Sequence, residues 1–75
     1  MNLTEVMQFL YEHAINCRIS SFWDGGFDVY LGDENNGYKE QCNFDSEDLD
    51  KAAEWLYNVA VHHYPLIAIE HSNHN

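Results

Sequence analysis

Two turn signals, DGG at residues 24–26 and GDENNG at residues 32–37, stand on either side of the pentapeptide FDVYL. No other feature of the chain restricts its fold as much. Glycine takes a positive φ without steric cost, and Asn and Asp tolerate it, so both stretches favour chain reversal. Between them Phe27, Val29 and Leu31 alternate with Asp28 and Tyr30, the period of a half-buried strand. CRISSFW (17–23) supplies a strand before it, with Ile19, Ser21 and Trp23 on one face and Arg18, Ser20 and Phe22 on the other. YKEQCNF (38–44) supplies one after it, with Tyr38, Glu40, Cys42 and Phe44 toward the core. Glu40 on that face requires a sheet edge or a partner. The reading is a three-stranded antiparallel meander whose open face carries Arg18, Ser20, Phe22, Asp28, Tyr30, Lys39, Gln41 and Asn43.

The apolar face of such a sheet needs a cover, and two amphipathic helices provide it. The first opens at Asn2, with Glu5 placed to complete a capping box. Leu3, Val6, Met7, Leu10 and Ala14 recur at helical spacing, and the helix is expected to end near Asn16. The second is read from Asp45 as N-cap, with Asp48 at the third helical position and Phe44 stapled to Leu49. Leu49, Ala52, Ala53, Leu56, Val59 and Ala60 form its apolar stripe, broadened by Trp55, and Pro65 stops it. LIAIE (66–70) reads either as a short fourth strand or as a tail packed on the sheet, and HSNHN (71–75) as a polar tail. The predicted fold is α+β, in the order α-β-β-β-α, with residues 1–70 as a single domain. A chain of this size buries only about 60% of its unfolded surface, so a second core has no room.

Charge decides what such a domain can meet. Thirteen Asp and Glu oppose three Lys and Arg, a formal charge of −10. Nucleic acid and anionic membrane both call for basic side chains, so neither is an expected partner. A basic protein surface is, because complementary fields steer encounter. Residues 24–54 hold ten of the carboxylates against Lys39 and Lys51. Capping and turn chemistry account for about half of them. Asp50 and Glu54, at i and i+4, repel each other slightly. Carboxylates about 5–6 Å apart on a helix face can also imitate a run of phosphates.

Other chemistries fit less well. Cys17 and His13 are four residues apart, but no third group orients them for nucleophilic catalysis. The two cysteines lack CxxC spacing and read as reduced thiols in a cytoplasmic protein, since no apolar run is long enough for a signal segment or a membrane span. Counted from Asp33, the calcium-loop positions that need a ligand, a glycine and a bidentate Glu hold Gly37, Tyr38 and Phe44, so the pattern fails. His62 and His63 suit a helix C-terminus, and His71 and His74 are read as solvated. No metal, cofactor or catalytic residue is assigned, and the chain is not read as an enzyme.

The segment NFDSEDLDKAAEWLY (43–57) runs from a strand ending in an aromatic, through an acidic first turn, into a Trp-containing amphipathic helix. With the chain's size, charge and element order, it resembles anti-CRISPR proteins, the small acidic phage and mobile-element inhibitors of host defence. The resemblance implies a non-catalytic protein, acting in the host cytoplasm, that occupies a basic groove of a nucleic-acid-processing complex as a nucleic-acid mimic. Read from the residues, Asp24, Asp28, Asp33, Glu34, Glu47, Asp50 and Glu54 would supply the field, and Phe22 and Tyr30 the apolar anchors. The alternative is a small structural or regulatory module that pairs with its own copy through the open sheet face.

Overall fold

The computed structural model of the chain describes residues 1–45 and 48–67. Helix α1 (Leu3–Glu12) is followed by strands β1 (Cys17–Phe22), β2 (Gly26–Asp33) and β3 (Gly37–Phe44), and then by helix α2 (Leu49–His63). The sheet runs in the order β1-β2-β3 with both pairs antiparallel. The architecture is therefore the predicted α+β arrangement, a meander covered on one face by two helices. Residues 65–67 add one helical turn, so the first part of the LIAIE segment is not a strand. Residues 68–70 and the tail 71–75 lie outside the described residues.

Local chemistry sets the helix ends. Asn2 Oδ1 accepts from the Glu5 N–H at 2.9 Å, and Glu5 Oε1 accepts from the Asn2 N–H at 3.0 Å, closing the capping box. At the other end α1 stops earlier than the sequence pattern indicates. Ala14 turns left-handed (φ 56°), the Ile15 N–H reaches back to the Leu10 carbonyl at 2.9 Å, and the Ala14 N–H to Tyr11 at 3.1 Å. This is a Schellman closure with alanine where glycine is usual, which is why no glycine signalled it. Ala14 therefore leaves the helical stripe and is exposed, whereas Phe9 is buried and Met7 is partly exposed.

The N-cap of α2 is Asp48, not Asp45: its side chain accepts from the Asp50 N–H at 3.0 Å. Both aspartates are competent caps, and the connection after Phe44 is three residues longer than the capping pattern indicates. Phe44 packs edge-on against Trp55 at 6.0 Å between ring centres, within the helix rather than at its first turn.

The core lies between sheet and helices. Val6 and Leu10 of α1, Val29 and Leu31 of β2, and Ala52, Ala53, Leu56 and Ala60 of α2 are fully buried. Three of the four α2 residues are alanines, and small side chains let a helix approach both its neighbour and the sheet closely. Each strand position keeps its face up to Leu31, which pairs with Glu40. Gly32 then pairs with Tyr38, leaving Lys39 as an extra residue in β3. This bulge puts two consecutive side chains on one face and breaks the period of two. Tyr38 consequently lies on the open face against Tyr30, with 4.7 Å between ring centres. Lys39 is on the helix side, with Nζ 5.9 Å from the centre of the Tyr64 ring. Both positions reverse the sequence expectation. Glu40 satisfies both of its conditions: β3 is an edge strand, and His63 Nε2 is 3.2 Å from its Oε1.

Candidate binding surface

The open face of the sheet has two different ends. At one end, Arg18 of β1 reaches across to Glu34, Nη1 to Oε1 at 2.9 Å, and donates to the Tyr38 hydroxyl at 3.4 Å. Its guanidinium also sits 5.9 Å from the centre of the Tyr30 ring. The Tyr38 hydrogen bond, more than the Glu34 carboxylate, raises the Arg18 pKa further above its ordinary value. Tyr30 is thus half-buried beneath Tyr38 and Arg18 and is less available as an anchor than the alternation alone implied.

Asp33 ends β2 close by, and its oxygens organise the second turn. Asn16 Nδ2 donates to Oδ2 at 2.6 Å, and the Asn35 and Asn36 N–H groups donate to Oδ1 at 2.8 Å each. Chiefly through Asn16 and then the Asn36 N–H, these donors hold the Asp33 carboxyl below the usual aspartate range. The group stays charged, but its geometry serves the loop. A hollow of about 350 Å³ next to it is lined by His13, Asn16, Asp33, Lys39 and Tyr64 among others. Sequence reasoning did not find this hollow, because its walls come from four separated segments.

At the other end the Phe22 ring is 51% exposed. Asp28 accepts from Asn43 Nδ2 at 2.7 Å, and the same amide donates to the Gly25 carbonyl at 3.1 Å, tying β3 to the hairpin tip. Trp23, expected beside Ile19 on the core face, instead lies past the end of β1 in the turn and is 98% exposed. Asp24 next to it is exposed as well. The turn closes with the Gly25 N–H on the Phe22 carbonyl at 3.0 Å. A tryptophan directly before an Asp-Gly-Gly turn was the available signal for this position.

The nine proposed contact residues do not form one patch. Phe22, Asp24 and Asp28 share the hairpin end of the sheet. Asp33 and Glu34 share the opposite end, about 15–20 Å from Asp28 along β2, and Tyr30 lies between the two ends, about 7 Å from Asp28. Asp50 and Glu54 are exposed on α2, on the far side of the sheet. Glu47 lies outside the described residues. Separations of this size exceed the Debye length of about 8 Å in physiological salt, so the groups act as separate sources of field.

Cys17 and His13 each have a neighbour near the end of α1. A carbonyl can only accept, so His13 Nδ1 carries a proton and donates it to Phe9 at 2.8 Å. Cys17 Sγ rests 3.6 Å from Met7 Sδ, and burial pushes its thiol pKa up, against thiolate formation. Both cysteines are free thiols. No helix among the described residues is long and apolar enough to cross a membrane, and no group of three or more His, Cys, Asp or Glu among them is placed to hold a metal ion. No protein-family model matches the chain, and neither does a curated protein or a solved structure.

Proposed function

We propose that this chain is a non-catalytic acidic binding protein that occupies a basic groove on a nucleic-acid-binding complex and so keeps nucleic acid out. The anti-CRISPR resemblance makes a host-defence complex the target class. The observation that supports the reading is the charge balance: −10 on 75 residues, with Arg18 engaged by Glu34 and Lys39 drawn onto Tyr64. Lys51, the third of the Lys and Arg, is exposed on α2, and among the described residues no such contact is seen for it. A groove built for phosphates meets carboxylates on both the sheet side and the helix side of this domain.

The test is capture of partners from a nuclease-treated bacterial lysate at low and high salt, followed by competition of the purified partner with its own nucleic acid. Salt-sensitive capture of a basic nucleic-acid-processing complex, with loss of its nucleic acid, is the expected result. A captured complex that keeps its nucleic acid, or capture indifferent to salt, sinks the proposal. The alternative occupant of the open face is a second copy of the chain, favoured by the exposure of Phe22 there. Sedimentation of the pure protein separates the two, since a monomer at high concentration removes the second.

A further inference from the structure

Trp23 is the most exposed large apolar side chain in the described residues, and nothing in the fold requires it where it stands. The turn is specified by Asp24, Gly25 and Gly26, and the position after Phe22 accepts almost any residue. A tryptophan offers roughly 150–250 Å² for burial, which a small domain short of core area would ordinarily take inside. Here it is held in water at a tip that is also held still. Gly26, at φ 77°, lies so close to β3 that an added Cβ would stand 2.2 Å from the Phe44 carbonyl oxygen. Asn43 ties the Gly25 carbonyl to β3 from the other side. An exposed ring on a fixed backbone loses little entropy on binding, as anchor residues at interfaces do.

The surroundings state what the ring would meet. Asp24 follows it in sequence, and Asp28 is two strand positions beyond the turn. From Ile19 to Tyr38 there is no Lys or Arg, and Arg18, the one cation of the hairpin, is at its other end by Glu34, so an approaching cation finds no like charge at the tip. Indole faces attract cations, arginine more often than lysine, and a guanidinium can stack on the ring while donating to a neighbouring carboxylate.

We propose that the β1–β2 hairpin tip, with Trp23 flanked by Phe22 and Asp24, is the anchor of the interface and takes an arginine side chain of the basic partner. This rests on the acid-based reading above and adds to it the residue that fixes position where charge alone only attracts. Tyr30, on the same face but beneath Tyr38 and Arg18, is not the anchor.

The probes are an oligo-arginine peptide and an oligo-lysine peptide of equal length, titrated at low and moderate salt. Trp23 fluorescence is read in a Trp55→Phe background, because Trp55 is partly buried against Phe44. The expected result is tighter binding of oligo-arginine, a change in Trp23 emission, and an affinity about three- to thirty-fold weaker in Trp23→Ala. Trp23→Ala removes no buried contact, so its urea midpoint should match that of the parent. Tyr11→Ala removes an equally conspicuous ring, 81% exposed but on α1, and should leave affinity unchanged. Binding that ignores Trp23→Ala, or falls equally in Tyr11→Ala, overturns the anchor and leaves the acid-based reading standing. Failure of both peptides to bind at low salt overturns both readings.

Discussion

Gly26→Ala is the perturbation whose consequence the structure determines most closely. Two terms act. The φ of 77° places an L-residue in the left-handed region, which costs roughly 1–2 kcal/mol. The new methyl would also stand 2.2 Å from the Phe44 carbonyl oxygen, and both that carbon and the Asp45 Cα are within 3.2 Å. These are backbone atoms of β3 and its exit, so no side chain can swing aside. Either the end of β3 moves outward or the Phe27–Phe44 pair opens, at about 0.5–1.5 kcal/mol for each hydrogen bond given up. The sum is about 2–4 kcal/mol, a large share of the roughly 4–11 kcal/mol expected for a domain of this length. Two controls separate the terms. Gly37→Ala meets nothing within 4 Å at φ 87° and should show the conformational term alone. Gly25→Ala has its nearest neighbour at 3.6 Å, no positive φ, and should change stability by no more than about 0.5 kcal/mol or raise it slightly. Urea unfolding followed by circular dichroism reads all three. With a slope of about 1 kcal/mol per molar, the Gly26→Ala midpoint should fall by about 2 M or more. A Gly26→Ala midpoint no lower than that of Gly37→Ala would refute the close approach of β3 to the hairpin.

Ala14 presents the converse case, since its φ of 56° belongs to the C-terminal closure of α1. Ala14→Gly should raise stability by about 1 kcal/mol despite adding backbone freedom, and a lower urea midpoint would show that the closure is not formed. Asp33 should give an acid-side signature, because its folded pKa is lowered, first by Asn16 and then by the Asn36 N–H. A lowered folded value means that the contribution is complete above the ordinary aspartate pKa and is lost as pH falls through the folded one. The stability gap between the parent and Asn16→Ala should therefore be constant near neutrality and narrow below about pH 4. A gap that does not change down to about pH 3 would mean that the Asn16–Asp33 bond is not formed in solution.

Features fixed by neighbours in sequence were legible before the structure. The Asn2–Glu5 box, the two turns and the alternation of FDVYL each depend on residues within five positions of one another. The departures all come from something the local pattern does not contain. One extra residue in β3 exchanged the faces of Tyr38 and Lys39, and a bulge leaves no mark on a strand whose polar and apolar residues already mix. Asp45 and Asp48 cap equally well, so the choice between them lay in the length of the connection to the sheet. Phe9 was missed because the stripe was drawn through Met7, and the packing of Phe9 against Tyr57, at 5.4 Å between rings, joins two helices distant in sequence. Trp23 was assigned inward by continuing the alternation one residue past the point where β1 stops. The acids were found as a set, but their separation into two sheet ends and a helix is a property of topology alone.

Once their oxygens are traced, the carboxylates divide into two kinds. Glu5 completes a cap, Asp48 makes one, Asp33 builds a turn, Asp28 holds Asn43, Glu34 pairs with Arg18 and Glu40 lies against His63. Each of these would be missed by the fold itself. Asp24, Asp50 and Glu54 are exposed, and the last two sit one helical turn apart on a domain already far on the acidic side. If those three are there for a partner, replacing them with lysine should separate two observables. Folding stability should change by no more than about 1 kcal/mol, because falling self-repulsion offsets the loss of Asp50 from the first turn of α2, while salt-sensitive capture of the basic partner should weaken by tenfold or more, at about 1.4 kcal/mol for each factor of ten. Solubilising acids give a different result, in which stability holds and capture is unchanged. Acids needed by the fold give a third, in which stability falls. The triple variant distinguishes the three roles in one protein, because none of the three carboxylates makes a hydrogen bond or ion pair described above.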